Sequence, residues 1–245
     1  MKRDMFKLIL FDLDGTLTES HPGIIRSVQY ALNKAGYPVP GEQELLPFVG
    51  PPLVDSFINF IHMTEEEARQ SVVWYREYFS TKGKYENSVY AGIPELLARL
   101  KSEGFLLGIA SSKPEAFVRD ILDYFSLTPF FAIICGSTMD GSLSKKPDII
   151  RYALKQAGYL QECVTEPGQT EQCVTKKDSL DQEGLRREVV MVGDRKYDVT
   201  GAHEMGMSAI GVTWGYGSPE ELEASGADAL ADDPLELYRR LADQF

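Results

Sequence analysis

Cysteine, histidine and long apolar runs are scarce in this sequence, and each shortage excludes a class of protein. The cysteines, Cys135, Cys163 and Cys173, lack CxxC spacing and are odd in number, which favours reduced thiols in a cytoplasmic protein over a disulfide framework. The histidines at positions 21, 62 and 203 are scattered and form no metal-ligand pattern. No stretch approaches the ~20 apolar residues that a membrane-spanning helix requires.

Basic residues are outnumbered as well, since 25 Lys and Arg stand against 37 Asp and Glu, for a net charge of −12. Nucleic acids and anionic membranes attract basic patches, so neither a nucleic-acid polymer nor a membrane is expected as a partner. An acidic surplus suits a protein that holds a divalent cation, although a solvated acidic surface explains most of it. The short N-terminal apolar stretch contains Lys7 and leads into two aspartates, which indicates a buried strand rather than a signal peptide.

Apolar residues are plentiful: they make up 43% of the 245 residues, enough for a core domain with a small accessory domain. Near-continuous apolar runs are typical of parallel strands that are covered on both faces. Such runs occupy residues 6–11, 105–110, 131–135, 189–192 and 208–212. Helical patterns at 94–102, 114–125 and 147–157 lie among them, which predicts an α/β fold with a doubly wound parallel sheet.

The stretch between residues 20 and 90 breaks this alternation, because it contains helical patterns at 23–34, 54–61 and 65–79 and no convincing strand. Thr64 and Glu67 form the sequence signature of a capping box at the start of the last pattern. A helical block directly after the first strand predicts a small lid domain over residues 19–90, on a core of residues 1–18 and 91–245. Residues 161–188 are polar and charged, and we expect them to form an exposed insertion.

Carboxylates follow two of the predicted strands. Asp12 and Asp14 follow the first strand, in Phe11-Asp12-Leu13-Asp14-Gly15-Thr16-Leu17, and Asp194 and Asp198 follow the strand at 189–192. Ligands of such sheets bind at the carboxyl ends of the strands. Carboxylates gathered there repel one another unless a cation neutralises them, and hard oxygen ligands suit Mg²⁺. Two simpler interpretations stay open, namely a hairpin turn at Asp14-Gly15 and a helix N-cap at Asp194.

Two further strand or loop ends carry groups that could bind an anion. Ser111 and Ser112 precede a predicted helix N-terminus, where backbone N–H groups bind phosphate readily. Lys145 and Lys146 precede another helix, and a lysine there could neutralise both phosphate and the crowded carboxylates. Each signal is weak alone, because serine is common at helix starts and surface lysines are usually solvated.

Taken in order, these four segments resemble the motifs of the haloacid-dehalogenase superfamily of phosphohydrolases, and the resemblance covers nearly the whole chain. It implies a Rossmann-like core with an α-helical cap inserted between the first and second motifs. The implied roles are Asp12 as nucleophile, Asp14 as general acid and base, Ser111 as phosphate-binding hydroxyl, Lys146 as the motif lysine, and Asp194 and Asp198 as acids of the metal site. The doubled lysine leaves Lys145 as an alternative to Lys146, and Thr16 and Ser112 are expected beside the substrate.

The activity that the resemblance implies is Mg²⁺-dependent hydrolysis of a small phosphate ester through an aspartyl-phosphate on Asp12. Mg²⁺ would be held by Asp12, the Asp14 backbone carbonyl and Asp194, with Asp198 acting directly or through water. Residues 48–53 resemble the cap loop of phosphoglycolate-phosphatase-like and nucleotidase-like members, which makes phosphoglycolate and nucleoside monophosphates the leading substrate candidates.

Several alternatives to this activity remain at the level of the sequence. The presence of Asp14 disfavours a dehalogenase or a phosphonate hydrolase, whereas a hexose-phosphate mutase would keep every one of these residues. A non-catalytic regulatory protein is an alternative from a different class. The sequence also leaves open whether the protein is a monomer or a homodimer.

Overall fold

The computed structural model describes residues 6–160 and 182–244, and its central feature is a six-stranded sheet. The strands of the described chain are β1 (Leu8–Phe11), β2 (Thr18–Glu19), β3 (Ser88–Val89), β4 (Leu106–Pro114), β5 (Ile133–Ser137), β6 (Val189–Gly193), β7 (Ser208–Val212) and β8 (Ala229–Ala231). The large sheet has the order β5-β4-β1-β6-β7-β8, and every neighbouring pair in it is parallel. The predicted α/β class with a parallel sheet is therefore confirmed.

Helices connect these strands and cover the sheet. The described helices are α1 (His21–Ala35), α2 (Glu42–Leu45), α3 (Leu53–Ile61), α4 (Glu65–Phe79), α5 (Ile93–Ser102), α6 (Glu115–Tyr124), α7 (Lys146–Gln156), α8 (Gln182–Glu188), α9 (Lys196–Glu204), α10 (Pro219–Ala224) and α11 (Pro234–Asp243). Every helical pattern identified in the sequence coincides with one of them to within two residues at each end. None of the helices in the described ranges is long and apolar enough to cross a membrane.

The central strand β1 is apolar at every position because both of its faces are covered. Ile9 and Phe11 belong to one hydrophobic cluster, whereas Leu8 and Leu10 belong to a second cluster on the other face. This division follows from the alternation of side chains along a strand. All four residues are fully buried, which explains why the strand appears in the sequence as a continuous apolar run.

The register of the sheet brings the carboxyl ends of three strands together. Phe11, the last residue of β1, is paired with Ile109 of β4 on one side and with Val192 of β6 on the other. The residues that follow these three positions therefore emerge at one edge of the sheet. The pairing is continued by the Asp12 amide, which donates a hydrogen bond to the Val192 carbonyl at 2.9 Å.

The helical insertion, residues 21–85, follows the first strand as expected. In α4 the predicted capping box is present, since the Thr64 amide donates to the Glu67 carboxylate at 2.8 Å and the Glu67 amide donates to Thr64 Oγ1 at 3.3 Å. One expectation for this stretch is wrong, because residues 20–90 do contain a strand. The two-residue β3 pairs antiparallel with β2 where the chain enters and leaves the insertion. The exact division into domains at residues 18 and 90 stays a prediction.

Two other differences between sequence and structure concern short elements. Strand β8 was missed, because three residues between acidic and polar neighbours give no apolar run. The predicted exposed insertion at 161–188 lies outside the described residues up to position 181, and Cys163 and Cys173 lie there too. Its last part forms helix α8, in which Glu183, Arg186 and Arg187 are exposed as expected, whereas Leu185 is buried against the core.

Candidate active site

The loop after β1 places Asp12 and Asp14 at the carboxyl edge of the sheet. Both residues are almost fully buried, with 5% and 8% of their surface exposed. The chain then turns at Gly15, whose φ is +79° and whose missing Cβ would lie 2.2 Å from Asp194 Oδ2. Because β2 pairs with β3 and not with β1, Asp14-Gly15 is not the turn of a hairpin with β1.

Three buried carboxylates meet at this edge. Oxygen atoms of Asp12, Asp194 and Asp198 all lie within 4.8 Å of one another. Asp194 accepts hydrogen bonds from Thr16 Oγ1 at 3.1 Å and from the Tyr216 amide at 2.8 Å. These donors lie outside α9, and the residue at the N-cap position of that helix is Arg195, so the N-cap interpretation of Asp194 is wrong.

Asp198 is fixed by the start of the helix that carries it. It occupies the third position of α9, and its Oδ2 accepts a hydrogen bond from the Arg195 amide at 3.1 Å. This bond turns its other oxygen, Oδ1, toward the cluster. The Oδ1 atoms of Asp12 and Asp198 are buried and lack a well-aligned hydrogen-bond donor, although both lie within ion-pair distance of a lysine.

Burial and mutual repulsion make this cluster a site for positive charge. Burial raises the pKa of Asp194 well above its ordinary value, and the charges of Asp198 and Asp12 raise it further. Buried carboxylates in such proximity are stabilised by a cation, and three oxygen donors fit Mg²⁺ by their chemistry. The Asp14 carboxylate is not part of this group, and the contribution expected from its backbone carbonyl stays a prediction.

Of the two adjacent lysines, the structure brings Lys146 to the acids and leaves Lys145 exposed. Lys146 Nζ lies 3.2 Å from Asp12 Oδ1 and 2.7 Å from Asp198 Oδ1, and it donates a hydrogen bond to the Ala110 carbonyl at 3.0 Å. Burial alone would lower the pKa of Lys146, but the charges of Asp12 and Asp198 outweigh it and raise the pKa above its ordinary value. Lys146 is therefore a permanent cation at this site.

Lys113 is a site residue that the sequence analysis did not single out. Its Nζ lies 3.0 Å from Asp14 Oδ2 and 4.3 Å from the centre of the Phe79 ring, and only 8% of the residue is exposed. Ser111 lies just before it at the end of β4, buried, and accepts a long hydrogen bond of 3.4 Å from the Lys113 amide. The signal for Lys113 was available in its neighbours, since it directly follows Ser111 and Ser112.

A second group that the sequence did not assign is the loop after β7. Tyr216 donates its amide to Asp194, and its hydroxyl accepts a hydrogen bond from the His21 amide at 2.9 Å. Trp214 Nε1 donates to the Thr16 carbonyl at 3.1 Å. Through these bonds the loop holds the first motif against Asp194 and connects it to the start of α1.

A cavity of about 640 Å³ opens from this edge of the sheet. Its floor includes Asp12, Asp14, Ser111 and Ser112, and its opposite wall belongs to the helical insertion. Thr16 is fully buried and binds Asp194, so it supports the acids rather than lining the cavity. Most of the remaining lining comes from residues 48–55, from α4 and from residues 137–144.

A doubly wound parallel sheet whose carboxyl edge gathers aspartates, a buried lysine and a cavity defines an enzyme of the phosphoryl-transfer class. A model of the family described as haloacid dehalogenase-like hydrolase matches residues 9–165, and a HAD-hydrolase-like model matches residues 145–237. The chain belongs to this family and is an enzyme of the phosphatase type.

Several relatives and a solved structure agree with this membership. The 5'-nucleotidase of Pseudomonas aeruginosa is 41% identical over 217 residues, which cover 88% of this chain and 86% of the relative. The phosphoglycolate phosphatase of Vibrio parahaemolyticus is 26% identical over 250 residues and 99% of each chain. The crystal structure of a predicted phosphatase from Clostridium acetobutylicum superposes with a TM-score of 0.84, at 40% identity and with 97% and 98% of the two chains covered.

One relative has a name of a different kind. The tyrosine-protein kinase PtkA of Mycobacterium tuberculosis is 36% identical over 217 residues, which cover 89% of this chain. The match spans 65% of that protein's length. The same scaffold is thus shared by proteins whose names describe phosphate ester hydrolysis and phosphate transfer to tyrosine.

Proposed function

We propose that this protein hydrolyses a small phosphomonoester through an aspartyl-phosphate on Asp12, with Mg²⁺ at the acid cluster. The observation that carries the proposal is the meeting of Asp12, Asp194 and Asp198 beside Lys146, at the floor of a cavity that Asp12 and Asp14 line. The cavity volume lies within the range of about 300–1,000 Å³ that is common for small-molecule sites.

In the first half of the reaction, an Asp12 carboxylate oxygen attacks the phosphorus atom and the ester P–O bond breaks. Asp14 gives a proton to the departing oxygen, so that the alcohol leaves in neutral form. In the second half, Asp14 takes a proton from a water molecule, which attacks the same phosphorus atom. The bond between phosphorus and Asp12 breaks, inorganic phosphate leaves, and the Asp12 carboxylate and protonated Asp14 are regenerated.

Lys146, which pairs with Asp12, and Ser111, which lines the cavity, would offset the negative charge that moves onto the phosphoryl oxygens. Lys113 Nζ lies 3.0 Å from Asp14 Oδ2 and so orients the side chain that delivers the proton. The residues that would hold Mg²⁺ are Asp12, Asp194 and Asp198, whose buried oxygens fit a small divalent cation. When bound, Mg²⁺ supplies positive charge that offsets the repulsion between the phosphate and the carboxylates.

We further propose that the helical insertion acts as a cap that closes over the cavity and excludes bulk water. Its contact with the core supports this role, since Arg195 Nη1 donates a hydrogen bond to the Val49 carbonyl at 2.8 Å and the guanidinium also pairs with Glu221 at 2.9 Å. The loop that carries Val49 is the one that resembles the cap loops of phosphoglycolate-phosphatase-like and nucleotidase-like members. The names of the relatives, 5'-nucleotidase and phosphoglycolate phosphatase, support the same two substrate candidates, phosphoglycolate and nucleoside monophosphates.

The test is phosphate release from a panel of phosphorylated metabolites with Mg²⁺, for the wild type and for Asp12→Asn. We expect Asp12→Asn to reduce turnover by at least about 10³-fold, because the carboxylate that attacks phosphorus is gone. The matched control is Asp120→Asn, which removes an exposed acid paired with Lys84 far along the chain and should keep full turnover. Full turnover by Asp12→Asn would refute the nucleophile, and transfer between two hydroxyls of one sugar without phosphate release would identify a mutase.

A further inference from the structure

Helix α4 lays one of its faces along the active-site cavity. Arg69, Val72, Val73, Arg76 and Phe79 line the same cavity as Asp12 and Asp14. Their spacing of three and four residues places them on one side of a helix. This side therefore forms a wall that faces the catalytic edge of the sheet, and it carries two arginines.

The two arginines differ in their partners. Arg69 Nη2 lies 2.6 Å from Glu65 Oε1 in an exposed i,i+4 pair, so its charge is already matched. Arg76 is half-buried, and no carboxylate in the described part of the chain forms an ion pair with it. Asp55 and Asp140 also line the cavity, but neither pairs with Arg76, and Asp140 accepts hydrogen bonds from Ser142 at 2.8 and 3.0 Å.

The charge of Arg76 is costly where it lies. Burial lowers the pKa of Arg76 from its ordinary value, yet a guanidinium remains protonated throughout the physiological range. A half-buried cation without an anionic partner loses hydration and gains no ion pair. Such a group, on the wall of a cavity that binds an anionic substrate, points to a ligand that supplies the missing charge.

The position of Arg76 indicates which part of the substrate this is. Phe79, one helical turn further along α4, contacts Lys113, and Lys113 is paired with Asp14. Three helical residues correspond to about 4.5 Å along the axis, so Arg76 is displaced by that distance along α4 from the Phe79–Lys113 contact. Asp14 is the group that protonates the leaving oxygen in the proposed reaction. Arg76 is therefore placed on the leaving-group side of the cavity.

We propose that Arg76 forms a subsite for a second anionic group, a carboxylate or a second phosphate, on the leaving group of the substrate. The proposal rests on the proposed phosphatase function, because the leaving-group side is defined by Asp14. It selects among the candidate substrates: an ester such as 2-phosphoglycolate offers an anion to Arg76, whereas the nucleoside that leaves a nucleoside monophosphate is neutral. Arg76 is thereby assigned as a specificity-determining residue.

The experiment compares matched pairs of esters that differ in the second anion. 2-Phosphoglycolate is compared with ethyl phosphate, and propane-1,3-diol bisphosphate with propyl phosphate, by kcat/KM with Mg²⁺. In Arg76→Met we expect kcat/KM for the anionic ester to fall by about tenfold to a hundredfold, the usual loss for a charge-assisted hydrogen bond. For the uncharged partner we expect a change of less than about threefold. The pair that responds shows whether the subsite takes a carboxylate or a phosphate.

Two controls isolate the subsite from general effects. Arg26→Met removes an exposed arginine of the insertion that pairs with Glu86 at 2.9 Å and lies outside the cavity. This variant should leave the ratio of kcat/KM between the anionic and the uncharged ester unchanged in both pairs. Arg76→Lys should recover part of the preference, because the charge is kept while the bidentate geometry is lost. The subsite would be overturned if Arg76→Met lowered kcat/KM equally for the anionic and the uncharged esters. It would also be overturned if Arg76→Met left the ratio of kcat/KM between them unchanged in both pairs.

Failure of the phosphatase proposal would give a different result from failure of the subsite. If the wild type hydrolyses neither these four esters nor any ester of the metabolite panel, the proposed function fails, and binding of the four esters is then measured by calorimetry. Weaker binding of the anionic esters alone by Arg76→Met would still support the subsite. Equal binding of all four esters by the wild type and the variant would reject it.

Discussion

Replacing Lys146 with methionine should destabilise the folded protein as well as inactivate it. The ammonium group lies within 3.2 Å of Asp12 and 2.7 Å of Asp198, and both carboxylates remain buried when it is removed. The side chains of the three residues are only 4%, 7% and 2% exposed, so water does not replace the lost charge. The substitution therefore leaves a group of negative charges in the interior with no cation among them.

The size of the effect follows from this burial. Breaking a buried ion pair by removing one partner costs about 3–5 kcal/mol. For a chain of this length each kcal/mol lowers the melting temperature by about 2–4 °C, which predicts a decrease of about 6–20 °C in the absence of metal. We expect Mg²⁺ to restore part of this loss, because a divalent cation at the acids takes over the charge that Lys146 supplied.

The assay is thermal denaturation followed by circular dichroism, in EDTA and in excess Mg²⁺, with phosphate release measured on the same samples. Lys145→Met is the matched control, because that lysine is the immediate neighbour and is exposed. It should change the melting temperature by less than about 2 °C, as is usual for surface substitutions. Equal effects of the two substitutions, or an unchanged melting temperature in Lys146→Met, would refute the assignment of Lys146 as the buried cation.

Three further predictions concern the metal, Lys113 and the thiol of Cys135. Mg²⁺ at a hundred times its dissociation constant should raise the melting temperature of the wild type by about 5–11 °C. Asp194→Asn should lose most of this shift. An unchanged shift in the variant would argue against the acid cluster as the metal site. Lys113→Met should lower kcat about tenfold to a hundredfold by leaving Asp14 misoriented, which is less than the full effect of about 10²–10⁴ that general acid–base catalysis supplies. Lys84→Met, which removes a lysine paired with an acid on α6, should leave kcat unchanged, and equal rates in the two variants would contradict the role of Lys113. Burial raises the pKa of the Cys135 thiol to about 12, so above about pH 8.5 the unfolded chain loses this proton while the native protein keeps it. The free energy of unfolding should therefore fall between pH 8 and pH 10 by about 2 kcal/mol more in the wild type than in Cys135→Ala, measured by urea denaturation, and parallel curves would contradict the raised pKa.

The boundaries of most elements could be predicted because each is specified by local pattern. The fully buried strands β1, β6 and β7 are continuous apolar runs, and α4 begins at a capping box formed by Thr64 and Glu67. Strand β8 could not be predicted in this way. Its three residues form a strand because they pair with β7, from which the chain has already departed through α10.

The candidate site divides in a similar way. Asp12, Asp14, Asp194 and Asp198 were identified because each follows a recognisable strand, and the structure brings three of the four into one cluster. Lys113 was missed because its pairing with Asp14 is a contact between distant parts of the chain, although its place directly after Ser111 and Ser112 marked it as a candidate. Arg76 was missed for the same reason: its lack of a carboxylate partner is a property of the folded molecule.

The sequence by itself determined the kind of fold, the order of the motifs and the identity of the acids, because apolar periodicity and the residues at strand ends are local properties of the chain. Tertiary structure alone decided that β4 and β6 flank β1, that Lys146 rather than Lys145 faces the carboxylates, and that α4 presents Arg76 to the cavity. The physical reason is that the charge and hydration of a side chain depend on its neighbours in space. Those neighbours come from distant segments, as the bond between Trp214 and Thr16 illustrates with its separation of 198 residues.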